Sequence, residues 1–194
     1  MSYGIMIGKK ELKGRPDMKD AAAERIIANA SALFSERGVF GTSLGEVAKL
    51  TGISKGTLYY YYPTRQSLTE AVAERCFAGI SEGLVSWVES VAADRTEEAL
   101  GALCDLLISD GGKLRLFVAL NAAAEPDSEL ENAVDRAMNE WNVLIEVGSM
   151  RMRPDAAAKM KRLNAAVLPF LCGLAALNAD GDYSREAFLA LILG

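Results

Sequence analysis

Two helix-start signals stand eleven residues apart: Ser43 followed three positions later by Glu46, and Ser54 ahead of KGTLYYYY, with Thr51-Gly52 between them. An N-cap serine satisfies an orphan amide of the first turn, and a glutamate at the third helical position closes the reciprocal bond. The stretch therefore has room for two short helices and a tight glycine turn, and for little else. Helices this short do not hold together alone in water. A neighbouring element must cover their apolar faces. The preceding segment can do so, because Ile26, Ile27, Ala30, Leu33 and Phe34 recur on one helical face between Asp20 and Arg37, and Gly38 offers a stop. Pro63-Thr64 ends the third helix and caps a long fourth, in which Leu68, Val72, Phe77, Ile80, Leu84, Trp87 and Val91 lie near one stripe.

Further helices are predicted over 96–109, 113–124, 128–151, 155–178 and 184–193, separated by Gly111-Gly112, Glu125-Pro126-Asp127, Arg153-Pro154 and the stretch 179–182. No alternating segment flanks a hairpin turn. The expected fold class is all-α, with about nine helices. The expected division is an N-terminal helix-turn-helix domain over 1–63, whose first 19 residues are a flexible leader, and a C-terminal helical domain over 64–194.

The chain has no histidine, which removes His-activated nucleophiles, His-ligated zinc and an imidazole shuttle. Its three cysteines, Cys76, Cys104 and Cys172, form no CxxC pair. A metal site, a cofactor and a catalytic role are all unexpected. The longest apolar run, Ala165 to Leu177, spans thirteen residues and contains Pro169, too short to cross a bilayer. With no secretory signal either, the expectation is a cytoplasmic protein with no membrane partner.

Net charge is −5, but it is uneven. Residues 1–65 hold 10 Lys/Arg against 6 Asp/Glu, and residues 66–194 hold 11 against 20. The basic end is the one that suits nucleic acid. Within it, consecutive residues on a helix are 100° apart, so Tyr59, Tyr60, Tyr61 and Tyr62 cannot all face inward. Leu58, Tyr61 and Tyr62 fall on the side that would meet Ile26, Phe34 and Val47. Lys55, Gly56, Tyr59 and Tyr60 then point away. A lysine, a position without a side chain and two phenols suit a major groove: the lysine reaches a base edge or phosphate, the glycine lets backbone approach, and the phenols bond phosphate while their rings touch a thymine methyl.

The segment LFSERGVFGTSLGEVAKLTGISKGTLYYYYPTRQSL, about residues 33–68, resembles the TetR family of bacterial transcription regulators. The resemblance implies a homodimer on a near-palindromic double-stranded operator, released when a small molecule enters the C-terminal body. It also implies a repressor more readily than an activator. Thr42 or Ser43 matches the family's phosphate-contacting cap, and Ser54, Lys55, Gly56, Thr57 and Tyr59 match the start and groove face of the third helix. Tyr60 matches a frequent phosphate contact. Arg65 stands where the family usually has lysine, keeping the charge and adding a fork that grips phosphate. Tyr61 and Tyr62 stand where the family commonly has His and Phe, which adds two hydroxyls needing partners.

In the body, Trp87, Phe117, Met138, Trp141, Leu144, Phe170 and Leu174 lie on apolar faces, as core packing or as the lining of a pocket for an apolar or aromatic effector. Because 165–177 is apolar nearly all round, residues 155–193 are expected to pair with a second copy as a four-helix bundle. The alternative to an effector-responsive regulator is a constitutive or architectural DNA-binding protein, which shares the helix-turn-helix and needs no pocket.

Overall fold

The computed structural model describes residues 18–109, 113–177 and 181–194, so most of the expected leader lies outside the described residues. Nine α-helices follow one another among them: α1 (Met18–Arg37), α2 (Leu44–Thr51), α3 (Lys55–Tyr61), α4 (Arg65–Ser90), α5 (Thr96–Cys104), α6 (Lys113–Asn121), α7 (Glu129–Ser149), α8 (Pro154–Ala176) and α9 (Gly181–Leu193). The described residues contain no strand. The fold class is all-α, as the pattern and the turn signals indicate.

The first three helices close around Ile26, Ala30, Phe34, Val47, Ala48 and Leu58, all buried. Leu68 and Val72 of α4 join the same core, so the apolar interior runs without a break across residue 63. α1 packs on α4 and α6 as well as on α2. In the body α4 lies along α7, α7 along α8, and α9 against α5 and α8. Phe77, Phe117 and Trp141 meet edge to face at 5.0–5.8 Å, joining α4, α6 and α7 in one aromatic cluster. The two indole N–H groups are satisfied: Trp141 Nε1 donates to Ser81 Oγ at 3.0 Å and Trp87 Nε1 to the Ala99 carbonyl at 2.7 Å.

One predicted helix differs. The span 96–109 is α-helical only to Cys104, and Asp105–Ser109 forms a π-helical turn. The wider turn holds Leu107 in the core while Asp105 meets Arg185 of α9 at 2.9 Å. A 3.6-residue pattern has no means of registering the extra residue. The last helix begins at Gly181, three residues before the predicted start.

α8 continues through Pro169. One of its sides, with Val167, Leu168, Leu171 and Ala175, is buried, and the opposite side shows Ala165, Ala166, Pro169, Gly173 and Ala176 to solvent. No helix of the described residues is long and apolar enough to cross a membrane, and none of their acidic and cysteine side chains group in threes to hold a metal ion.

Candidate nucleic-acid interface

The first helix start forms as a complete capping box. Ser43 Oγ accepts from the Glu46 amide at 3.2 Å, and the Glu46 carboxylate accepts from the Ser43 amide at 2.9 Å and from its hydroxyl at 2.8 Å. Arg37 adds a contact to the same carboxylate at 3.2 Å. The serine's donors, its amide first and then its hydroxyl, hold the Glu46 carboxyl below its ordinary range, with Arg37 contributing least. At the other end of α2, Gly52 adopts φ +74° and closes the turn. α1 braces that turn from below, with Arg25 Nη2 donating to the Thr51 carbonyl at 2.7 Å and Asn29 Nδ2 to Thr51 Oγ1 at 3.2 Å.

The second start is Ser54, whose Oγ accepts from the Thr57 amide at 3.0 Å and pairs with the Thr57 hydroxyl at 2.9 Å. α3 is then oriented by one anchor, Leu58, which is fully buried. Its outward side carries Lys55, Gly56, Tyr59 and Tyr60, with Tyr59 49% and Tyr60 70% exposed. Tyr61 and Tyr62 are half-buried against the core, and burial, helped by Glu24 and Glu74, pushes the Tyr62 phenol up. No residue of α3 is acidic. A bare helix of cationic and phenolic groups can meet phosphate and base edges without a like-charge penalty.

Two glycines of this face differ in what surrounds them. A Cβ on Gly45 would come within 2.9 Å of Lys55 Cε, so the lysine stem lies across α2. A Cβ on Gly56 would meet only Ser54 Oγ, at 3.7 Å, which leaves its outward side open.

The remaining expected DNA-contacting residues are placed as follows. Thr42 is 3% exposed, and its hydroxyl donates back to the Gly38 carbonyl at 2.9 Å, so it supports the turn from inside while Ser43 is exposed beside it. Ser54 and Thr57 are both exposed. Arg65 is exposed too, but its Nη1 donates to the carbonyls of Val39 and Phe40 at 3.2 and 3.4 Å, tying the start of α4 to the loop before α2. The brace made by Arg25 and Asn29 escaped the sequence reasoning. Their partner is 26 and 22 positions away, and no local spacing announces it.

In the body, Trp87, Phe117 and Trp141 are buried in packed surroundings, and Met138, Phe170 and Leu174 are half-buried beside the core. Several concavities among the described residues lie elsewhere, and two of them adjoin. A cavity of about 280 Å³ opens where the loop containing Val39 and Phe40 meets Arg65 and the α6–α7 connection. A groove of about 630 Å³ runs between α4 and α7. None of the seven expected lining residues borders either.

A family comparison falls on the same region. Residues 26–72 match the family model of bacterial regulatory proteins, tetR family. The biofilm operon icaADBC HTH-type negative transcriptional regulator IcaR of Staphylococcus aureus is 43% identical over 54 residues, 28% of this chain and 29% of the relative. The match thus spans less than a third of that relative's length. In overall fold, a Saccharomonospora viridis transcriptional-regulator structure solved with choline aligns with TM-score 0.73 at 17% identity, covering 89% of this chain and 96% of that one. A TetR transcriptional regulator from Chloroflexus aurantiacus J-10-FL aligns with TM-score 0.67 at 19% identity, over 89% and 93%. AibR, solved with isovaleryl coenzyme A and operator DNA, aligns with TM-score 0.65 at 17% identity, over 88% and 98%.

Proposed function

We propose that this chain, which carries the TetR-family DNA-binding region over residues 26–72, works as a homodimeric transcription regulator and not as an enzyme. Two copies of α3 enter successive major grooves of a near-palindromic operator. The observation that carries the proposal is the outward side of α3: Lys55, Gly56, Tyr59 and Tyr60 exposed on a helix without a carboxylate, fixed by a cap, a buried leucine and the α1 brace. Lys55 and Tyr59 reach base edges. Tyr60, Ser43, Ser54, Thr57 and Arg65 meet phosphate, and Thr42 supports Ser43 from below.

Regulation follows from geometry. Groove centres on one face of DNA lie about 34 Å apart, so an effector that makes the dimer prefer another spacing weakens binding. A hundredfold effect needs discrimination between the two dimer shapes of about 2.7 kcal/mol, within the usual range of coupling energies. We assign repression by analogy with the S. aureus relative, a negative regulator. The fold neighbours were solved with choline and with isovaleryl coenzyme A, which supports a small-molecule effector without fixing its class. A cytoplasmic location accompanies this role.

Selection of DNA sites with the purified protein tests the core of the proposal. On a recovered operator, Tyr60→Phe removes one phosphate bond and weakens binding to all sequences alike, by about fivefold. Lys55→Ala changes which operator is preferred. If both variants bind the operator as tightly as wild type, α3 does not dock as described. Binding also weakens steeply as salt rises.

A further inference from the structure

The groove between α4 and α7 has an apolar floor of Ala73, Phe77, Ala133 and Ala137. Its rim carries Glu70, Glu74, Glu129 and Glu140 against one guanidinium, Arg136. Among the described residues no ion pair ties Arg136 or any of these carboxylates, and Glu70 accepts only from the neutral Gln66 amide at 2.9 Å, so the groove keeps an excess of negative charge over its one guanidinium. Glu70 and Leu130 line both this groove and the smaller cavity beside Arg65, so the two adjoin. The groove follows α4 and α7 over about three turns, greasy below and anionic above.

We propose that this groove is the effector site and that its occupant is an elongated organic cation, a hydrocarbon chain ending in an ammonium group. The chain covers the alanine and phenylalanine floor, and the ammonium sits between the rim carboxylates, drawn there by the acidic body. A neutral apolar molecule leaves the carboxylates unpaired, and a compact polyamine leaves the floor wet. The floor is also wired to the DNA-binding end. Phe77 meets both Trp141 and Phe117, Phe117 lies on α6, and α6 packs on α1, the helix whose Arg25 and Asn29 hold the end of α2. Pressure on Phe77 therefore reaches the brace beneath the reading helix. The consequence for DNA rests on the regulator proposed above; occupancy of the groove does not.

Ser81 lines the groove and accepts the Trp141 indole N–H, so tryptophan emission reports on the site directly. Decyltrimethylammonium, kept below its micelle concentration, produces a saturable emission change and weakens binding to the selected operator. Spermidine, which has only charge, and decyl maltoside, which has only the chain, act at least about tenfold more weakly. The pair E74Q/E140Q weakens the ammonium by about tenfold, and R136Q tightens it by about threefold. All three positions are exposed, so folding is not at stake. Four results overturn the proposal: no saturable signal, an equal response to decyl maltoside, indifference to both charge changes, or stronger binding of a cationic amphipathic peptide, which would make the groove a helix-docking surface. Saturation without loss of operator affinity overturns the effector role. If the free protein selects no DNA at all, the regulator assignment fails while the emission titration still decides the groove.

Discussion

At the scale of single residues, the clearest functional statement comes from Gly56. Glycine in a helix costs up to about 1 kcal/mol relative to alanine, and here nothing inside the molecule demands it, since an added Cβ would meet only Ser54 Oγ at 3.7 Å. Gly56→Ala is therefore expected to leave the melting temperature unchanged or raise it. Operator affinity falls on the order of tenfold, because the methyl group occupies space that the groove wall needs. Thermal melting and a DNA titration on the same preparation check both halves. Gly45 is the contrast, since its missing Cβ makes way for the lysine stem of Lys55. The phenols divide as a 100° turn per residue requires, Tyr59 and Tyr60 outward and Tyr61 and Tyr62 toward the core. That division was legible because four identical residues leave geometry as the sole arbiter. The inward orientation of the Thr42 hydroxyl was not legible, since threonine and serine cap equally well and only the path of the turn decides which hydroxyl is enclosed.

At the scale of elements, the caps do most of the positioning, and their loss is measurable. Ser54→Ala frees the Thr57 amide and costs about 1 kcal/mol, read as a lower denaturation midpoint together with weaker DNA binding. The α2 box adds a dependence on pH. Glu46 is lowered by the Ser43 amide and hydroxyl in the folded state, so its contribution is present above the ordinary carboxylate value of 4.5 and is lost as pH falls through the folded one. Glu46→Gln keeps an acceptor for the box without the titration. Its stability relative to wild type should therefore rise as the medium is acidified, with the two melting curves converging at the acid end. Helix starts and stops were readable throughout this region because serine, threonine and glycine act locally. The π-helical turn after α5 was not, because it answers to Leu107 in the core and to Arg185, which lies 80 positions from Asp105. The ligand-lining candidates show the same limit. Periodicity marks Trp87, Phe117 and Trp141 as inward, and it cannot say whether inward means packed or open; the aromatic cluster packs Phe117 and Trp141, and Trp87 is packed against Gly148 of α7.

At the scale of the molecule, α8 presents an exposed side of small residues, Ala165, Ala166, Pro169, Gly173 and Ala176, continuous with Leu177. Small side chains let a second helix approach closely, and pairing with a second copy through 155–193 is the expected use. Ala166→Arg places a long charge on that side without touching the core. It is expected to convert a dimer into a monomer in sedimentation, and to lower operator affinity by more than about tenfold, because one half-site supplies only half of the phosphate contacts. The same variant should leave the helical signal in circular dichroism intact.

The unbroken interior across residue 63 also bears on how such a protein could be taken apart. Leu68 and Val72 of α4 complete the small core around Leu58, and α1 is shared with α6. A chimera that grafts the first three helices onto another body at Pro63 would strip that core of its lid. A workable splice has to fall within α4, beyond Val72, and must bring along a surface that α1 can accept in place of α6.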